Sequence, residues 1–317
     1  MSAEPDFSII TTCYFEEQSI DEFYTRLRKT ALSLGRSYEM VMVNDGSTDG
    51  TFARLKHFFD SDPNVTAVLD LYRNAGQVSA MTAGLTQARG RALVFIDSDL
   101  QLDPEDLPSL VEEFDKGYDI VTGYRKDRRD PLLRRIPSWL ANIVMRRVAR
   151  HNLRDFGCTF KIYDAALVRA FELGPFKPWV TAYIFSRAQS CKELPVTHHA
   201  RKYGESGWTL RKLVSFYMDH LVGLSERPFQ WMSALCLAFA FVFFLRIGFA
   251  WAVPINVLPE VTSGMILNAI AFSLLVTLAV LSAVGEYVMR SFLMTQKYPA
   301  YVIREIHEKP LETDPSR

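Results

Sequence analysis

The chain has 317 residues, of which 49% are hydrophobic and 23% charged, with 36 Lys and Arg against 36 Asp and Glu. That length allows two domains or one large one with a substantial core, and the composition excludes a disordered chain. Zero net charge argues against a generally basic nucleic-acid binder, yet the charges are segregated. Residues 1–124 carry 10 basic and 21 acidic side chains, whereas residues 125–154 carry 10 basic ones against Asp127 and Asp130 alone. Such a band wants an anion: a phosphate, an acidic membrane surface or a nucleic acid. Cys13, Cys158, Cys191 and Cys236 are scattered with no C-x-x-C pair, which predicts buried or lipid-facing free thiols rather than a zinc site or a disulfide framework.

The first residues, Met1 to Asp6, are acidic and lack an apolar segment, so no secretory signal is expected and the N-terminal part is expected in the cytosol. Short apolar runs then alternate with helical patterns. The predicted strands are Phe7–Thr12, Glu39–Asn44, Val65–Leu71, Ala92–Ile96 and Ile120–Thr122; the predicted helices are 17–34, 49–60, 77–88 and 104–116. This order predicts a parallel or mostly parallel sheet with helices on both faces. Ligands of such sheets sit outside the carboxyl ends of the strands. Those ends carry Thr12-Cys13-Tyr14-Phe15-Glu16-Glu17, Asn44-Asp45-Gly46-Ser47, Arg73-Asn74-Ala75-Gly76-Gln77 and Asp97-Ser98-Asp99-Leu100-Gln101. Neither G-x-G-x-x-G nor G-x-x-x-x-G-K-[ST] occurs, which disfavours a dinucleotide dehydrogenase and a P-loop enzyme.

Asp97-x-Asp99 is the key pair. Two carboxylates just past a buried strand can converge on one hard divalent cation, which such sites complete with substrate phosphates. Asn44-Asp45-Gly46-Ser47 has two readings: good turn chemistry, or a carboxylate placed to hydrogen-bond a nucleobase. Further on, Ile136, Leu140, Ile143, Val144 and Val148 share one helical face of residues 134–150, with Arg135, Arg146 and Arg150 on another. That pattern suits a membrane-surface helix or an ordinary helix packed on the domain. His198 and His199 are adjacent and so diverge along an extended chain, which argues against a shared metal. Residues 209–224 lead, with Leu210, Leu213, Val214, Tyr217 and Leu221, into the first of two candidate membrane spans.

Pro228 to Leu245 is uncharged and aromatic-rich, Arg246 follows, and a further uncharged run reaches Pro259; Val261 to Gly285 is a second stretch of 25 uncharged residues. Roughly 20 apolar residues span a bilayer core, so two transmembrane helices are predicted. The flanks carry Arg211, Lys212, Arg227, Arg290, Lys297 and Arg304, and the short intervening loop only Glu260. The positive-inside rule puts both termini in the cytoplasm.

Taken together, Asp45-Gly46-Ser47-x-Asp49, Arg73-Asn74-x-Gly76-Gln77, Asp97-x-Asp99-Leu100-Gln101, Asp155-x-Gly157-Cys158, Arg201-x-x-Gly204-Glu205-Ser206 and Gly285-Glu286-Tyr287-x-x-Arg290 resemble the family 2 glycosyltransferases of GT-A fold. Nearest among these is the polyprenyl-phosphate group: dolichol-phosphate mannose synthases and their bacterial undecaprenyl-phosphate relatives. The resemblance implies an α/β fold, a Rossmann-like catalytic domain with a mostly parallel sheet over residues 1–225. Interfacial helices, a two-helix transmembrane hairpin over 228–290 and a cytoplasmic tail over 291–317 would follow. It implies a nucleotide-sugar donor (UDP by the bacterial branch), a polyprenyl-phosphate acceptor, Mg²⁺ or Mn²⁺, and inversion at the anomeric carbon, on the cytoplasmic face of the plasma membrane; a homo-oligomer is compatible with it.

By position, the resemblance implies that Thr12, Tyr14, Glu16, Asp45, Arg73, Asn74, Gly76, Gln77, Asp97 and Ser98 line the nucleotide and donor edge. Asp97, Asp99 and Gln101 would form the metal and diphosphate shell. Arg125, Arg128, Arg201 and Ser206 would meet the acceptor phosphate, with Asp155 beside the acceptor or donor sugar as a third catalytic carboxylate. The chain departs from the family pattern at Thr12 (usually Pro), Phe15 (usually Asn), Asn44 (usually Asp) and Gly207 (usually Lys). A processive polysaccharide synthase would carry Q-x-x-R-W and more spans, and neither is found. A membrane-tethered nucleotide-binding scaffold is the non-enzymatic alternative.

Overall fold

The computed structural model describes residues 4–125, 146, 149, 151–175, 181–199, 263–295 and 298–310. The elements follow in the order β1 (Phe7–Cys13), α1 (Ile20–Ser33), β2 (Tyr38–Asn44), α2 (Thr51–Ser61), β3 (Val65–Leu71), α3 (Gln77–Leu85) and β4 (Ala92–Phe95). After a short 3₁₀ turn come α4 (Leu107–Phe114), β5 (Ile120–Arg125), β6 (Lys161–Asp164), α5 (Ala165–Arg169), α6 (Thr181–Arg187), β7 (Cys191–Val196), α7 (Ser263–Thr295) and β8 (Ile303–Glu308). The predicted strands and helices of the first 125 residues all appear, with ends shifted by a few residues.

One eight-stranded sheet has the order β7-β5-β6-β4-β1-β2-β3-β8. Its centre, β4-β1-β2-β3, is parallel throughout. β6 runs antiparallel to both β4 and β5, and β8 antiparallel to β3. The central strands are buried on both faces, hence their near-continuous apolar runs. On one face Ile9, Met40 and Met42 join Phe23 and Leu27 of α1, Leu55 of α2 and Leu110 of α4 in a single core. On the other, α3 lies so near the sheet that a Cβ on Gly84 would stand 2.7 Å from Ile10. With helices on both faces, a ligand of the parallel strands is expected at their carboxyl edge.

Residues 299–317 belong to the same compact unit as residues 1–213, and residues 214–298 form a second unit. The predicted C-terminal tail thus contributes β8, an edge strand of the sheet. In the second unit α7 is a single helix of 33 residues, about 50 Å long at 1.5 Å per residue. Ile270, Phe272, Leu274, Leu278 and Leu281 are exposed along it. Taken over the described residues alone, no helix is long and apolar enough to cross a membrane; the sequence of α7 is nonetheless uncharged from Ser263 to Gly285. The first predicted span, most of 134–150 and all of 209–224 lie outside the described residues.

Candidate active site

Every residue expected at the donor edge lies where the parallel strands end, because β1 to β4 run the same way and stop near the same level. Loops from four strands are stitched together there. The Ser47 hydroxyl accepts the Phe15 amide at 3.0 Å, the Thr51 hydroxyl accepts the Glu16 amide at 3.0 Å, and the Ser98 hydroxyl donates to the Thr12 carbonyl at 3.0 Å. Tyr14 and Phe15 are about half exposed, their rings edge-on at 4.6 Å. Phe15 adopts a positive φ of 57°, a region where a bulky residue is uncommon and asparagine is tolerated best. Phe15 therefore carries a conformational cost that an asparagine would largely avoid.

Asp45 is almost fully buried and uses both oxygens on the next loop: Oδ1 accepts the Ala75 amide at 2.7 Å and Oδ2 the Gly76 amide at 3.0 Å. Burial pushes its pKa up to about 6, and the two amides hold it from going further. Of the two sequence readings, the structural one is therefore present: Asp45 ties the end of β2 to the loop after β3. Arg73 and Asn74, in the loop that Asp45 holds, are exposed.

Asp97 is held between two elements. Its Oδ1 accepts from the Gln77 amide group and its Oδ2 from the Thr159 hydroxyl, each at 2.5 Å. Asp99 accepts the Gln101 backbone amide at 3.1 Å, and Leu100 between them takes a φ of 58°. Burial first, and the neighbouring Asp99 charge second, raise the Asp97 pKa to about 6. Two carboxylates that crowd each other in one loop suit a divalent cation, which removes the repulsion. Among the described residues no cluster of three or more His, Cys, Asp and Glu is poised for a metal, so an ion here would draw its remaining ligands from water and a phosphate-bearing substrate. His199 is engaged by Asp103 at 2.7 Å.

The raised Asp97 pKa has a sign that can be checked. The folded chain binds this proton more tightly than the unfolded chain, so between about pH 4 and pH 6 the carboxyl's stabilising contribution falls as pH rises. In chelator, denaturation of wild type relative to Asp97→Asn should show wild type losing ground across that window and a constant difference above it. Mn²⁺ affinity should run the other way, rising with pH to about 6 and then levelling, because the ion competes with the proton.

Asp155 and Arg125 meet although 30 positions separate them. Arg125 donates Nε to Oδ2 at 2.7 Å and its second terminal nitrogen to Oδ1 at 2.9 Å, a bidentate fork, and the Gly157 amide adds a bond to Oδ1 at 3.1 Å. The loop is braced from below by Lys161, buried, whose Nζ donates to the carbonyls of Phe156 and Cys158; burial depresses the Lys161 pKa. Sequence reading missed Thr159 and Lys161. Thr159 directly follows the Asp155-x-Gly157-Cys158 run, and its proximity to that run was the available signal. Arg128, Arg201 and Ser206 lie outside the described residues.

Residues 8–172 match the family described as Glycosyl transferase family 2. A dodecaprenyl-phosphate galacturonate synthase of Rhizobium johnstonii is 31% identical over 96% of this chain and 93% of its own. An undecaprenyl-phosphate 4-deoxy-4-formamido-L-arabinose transferase of Pseudomonas aeruginosa is 32% identical over 94% of this chain and 89% of its own. Among solved structures, glucosyl-3-phosphoglycerate synthase from Mycobacterium tuberculosis, in complex with Mn²⁺, uridine-diphosphate and phosphoglyceric acid, superposes with a TM-score of 0.51. It is 17% identical and covers 69% of this chain and 76% of that one, a likeness of fold.

Proposed function

The chain belongs to glycosyl transferase family 2, and from that premise we propose that it transfers a monosaccharide from a nucleotide-sugar, with UDP favoured, to a polyprenyl phosphate. The supporting observation is that the likeness to the two polyprenyl-phosphate sugar transferases runs over 94–96% of the chain, well past the matched family region. It therefore includes the apolar C-terminal segments that a lipid acceptor needs.

The chemistry follows from the residues. One phosphate oxygen of the acceptor attacks the anomeric carbon from the face opposite the leaving group. The bond from that carbon to the donor diphosphate breaks, and the nucleoside diphosphate leaves with the electron pair. A phosphate monoester has a second pKa near about 6, so at neutral pH the attacking oxygen needs no base. Asp97 and Asp99, with Gln101 beside them, would hold a divalent ion, Mg²⁺ or Mn²⁺, which when bound offsets charge on the departing diphosphate. Gln77 and Thr159 fix the Asp97 carboxylate in one orientation. Arg125 presents a cation for the acceptor anion, and Asp155 holds that guanidinium in place. Asp155 in this role positions Arg125 and abstracts no proton.

The membrane part of the proposal rests on topology. The chain leaves the catalytic unit after residue 213 and rejoins it at residue 299, so any crossing between must be even in number. A hairpin of Pro228–Leu245 and Val261–Gly285 meets that condition. It leaves the catalytic unit and both termini on one side, the cytoplasmic one by the basic flanks.

The test is nucleoside-diphosphate release by the purified full chain offered UDP- and GDP-sugars, with Mg²⁺ or Mn²⁺, with and without undecaprenyl phosphate. Release is expected only when sugar donor, ion and lipid are all present. Arg125→Ala should raise the acceptor KM at least tenfold. It should also destabilise the chain by about 3 kcal/mol, because it strands the buried Asp155 charge. Nucleotide binding without turnover under any of these conditions would instead support a tethered scaffold.

A further inference from the structure

The geometry points to Arg304, on the strand that follows the membrane segment, as a positioning residue for the nucleotide edge. The inference rests on the donor reading above, and adds a residue that none of the site motifs contains. β8 pairs with β3, the strand whose carboxyl end carries the Arg73–Gln77 loop. At that end the Tyr72 amide donates to the Val302 carbonyl at 3.0 Å. Arg304 then donates to the carbonyls of Leu71 at 3.3 Å and Tyr72 at 3.1 Å, and its guanidinium lies 5.7 Å from the centre of the Tyr72 ring.

A second line of bonds leaves from the same guanidinium. Arg304 is 3.4 Å from Asp70, whose side chain is only 4% exposed. Asp70 accepts the side-chain amide of buried Asn44 at 2.7 Å. The Asn44 side-chain oxygen in turn accepts the Ser47 amide at 3.3 Å, and the Ser47 hydroxyl holds Phe15. An aspartate in place of Asn44 would face the Asp70 carboxylate, whereas the amide donates to it.

The loop from Tyr72 to Gly76 is thus held on one side by Asp45 and on the other by Val302 and Arg304. Ile303 follows the last residue of α7 by eight positions. Docking of the chain that emerges from the apolar segment therefore sets the shape of the donor edge. An exposed ion pair alone would contribute little. Here one terminal nitrogen donates to both strand-end carbonyls while the other pairs with the buried Asp70 carboxylate at 3.4 Å, so loss of the guanidinium releases the loop rather than a single bond.

The experiment compares wild type, Arg304→Ala, Arg304→Lys and, as a remote ion-pair control, Arg36→Ala, all as full chains in detergent. UDP affinity with Mn²⁺ is measured by calorimetry, and amide exchange is followed over residues 72–77. Arg304→Ala should weaken UDP about tenfold, since small displacements of binding groups are costly. It should speed exchange of the Ala75 and Gly76 amides and leave kcat at saturating donor and the acceptor KM within twofold. Arg304→Lys, which keeps the charge but not the fork, should fall between, and Arg36→Ala should match wild type. Unchanged exchange and UDP affinity in Arg304→Ala would overturn the inference, as would equal losses in kcat and acceptor KM. If Arg304→Ala does not fold, Arg304→Gln carries the same comparison. A wild-type chain that binds no nucleotide would refute the donor reading; the exchange of Ala75 and Gly76 would still decide the tether.

Discussion

Asp97→Ala and Asp99→Ala should each lower sugar transfer by at least about a thousandfold, roughly 4 kcal/mol of transition-state stabilisation, while leaving the fold intact. The two carboxylates crowd each other, and burial already holds the Asp97 pKa at about 6. Above that pH, ionising Asp97 costs stability in the absence of a cation. The neutral isostere relieves that cost, so in chelator at pH 7.5 Asp97→Asn should melt no lower than wild type. Added Mn²⁺ should raise the melting temperature of wild type and of neither alanine variant. Melting and product release measured on the same samples separate a chemical defect from an unfolded one. An Asp97→Ala protein that keeps metal-dependent turnover would remove the pair from the reaction.

Among the described glycines, Gly46→Ala should be the most damaging single methyl group. Gly46 has a φ of 70°, and a Cβ there would stand 2.3 Å from the carbonyl carbon of Arg73 and 2.6 Å from the Asn74 nitrogen. Those atoms are backbone and cannot rotate aside. The loops after β2 and β3 would have to part, breaking the two amide bonds to Asp45. The left-handed conformation alone costs about 1–2 kcal/mol for a non-glycine residue, and with the lost contacts the expected destabilisation is about 3 kcal/mol or more. Nucleotide affinity should fall more than tenfold. Gly35→Ala is the matched control: its φ is 63°, but nothing lies within 4 Å of the added carbon. It should show the conformational cost alone, with nucleotide binding unchanged. Denaturation and UDP titration of both variants make the comparison.

The strands of the parallel centre were legible because their signal is local. Val65–Leu71, for example, is apolar except for Thr66 and Asp70, and it is found as predicted. β6, β7 and β8 were not legible. β6 is the tetrapeptide Lys161-Ile162-Tyr163-Asp164, with a lysine buried by carbonyls of its own preceding loop. β7 contains a proline and charged residues, and β8 reads Ile-Arg-Glu-Ile-His-Glu. The last two are the edges of the sheet, where one side of the strand is unpaired and charge is tolerated. Their strand character comes from the neighbour they join, which no local pattern encodes.

The site divides in the same way. The Asp97-x-Asp99 pair, the Asp45 turn and the Arg73–Gln77 loop could be placed from sequence alone. Each directly follows a strand, and strands of a parallel sheet end on one edge. What each group bonds to was decided by tertiary structure. Arg125 and Asp155 had separate roles in the sequence reading, yet they form one bidentate pair. Thr159 reaches Asp97 across 62 positions, and Arg304 reaches Leu71 across 233. Periodicity and turn chemistry act over a few residues, so the sequence made legible the strands and helices of the parallel centre and the edge where these polar groups gather. Pairing of charges and capping of strand ends act through space, so only the folded chain decided which side chain holds which.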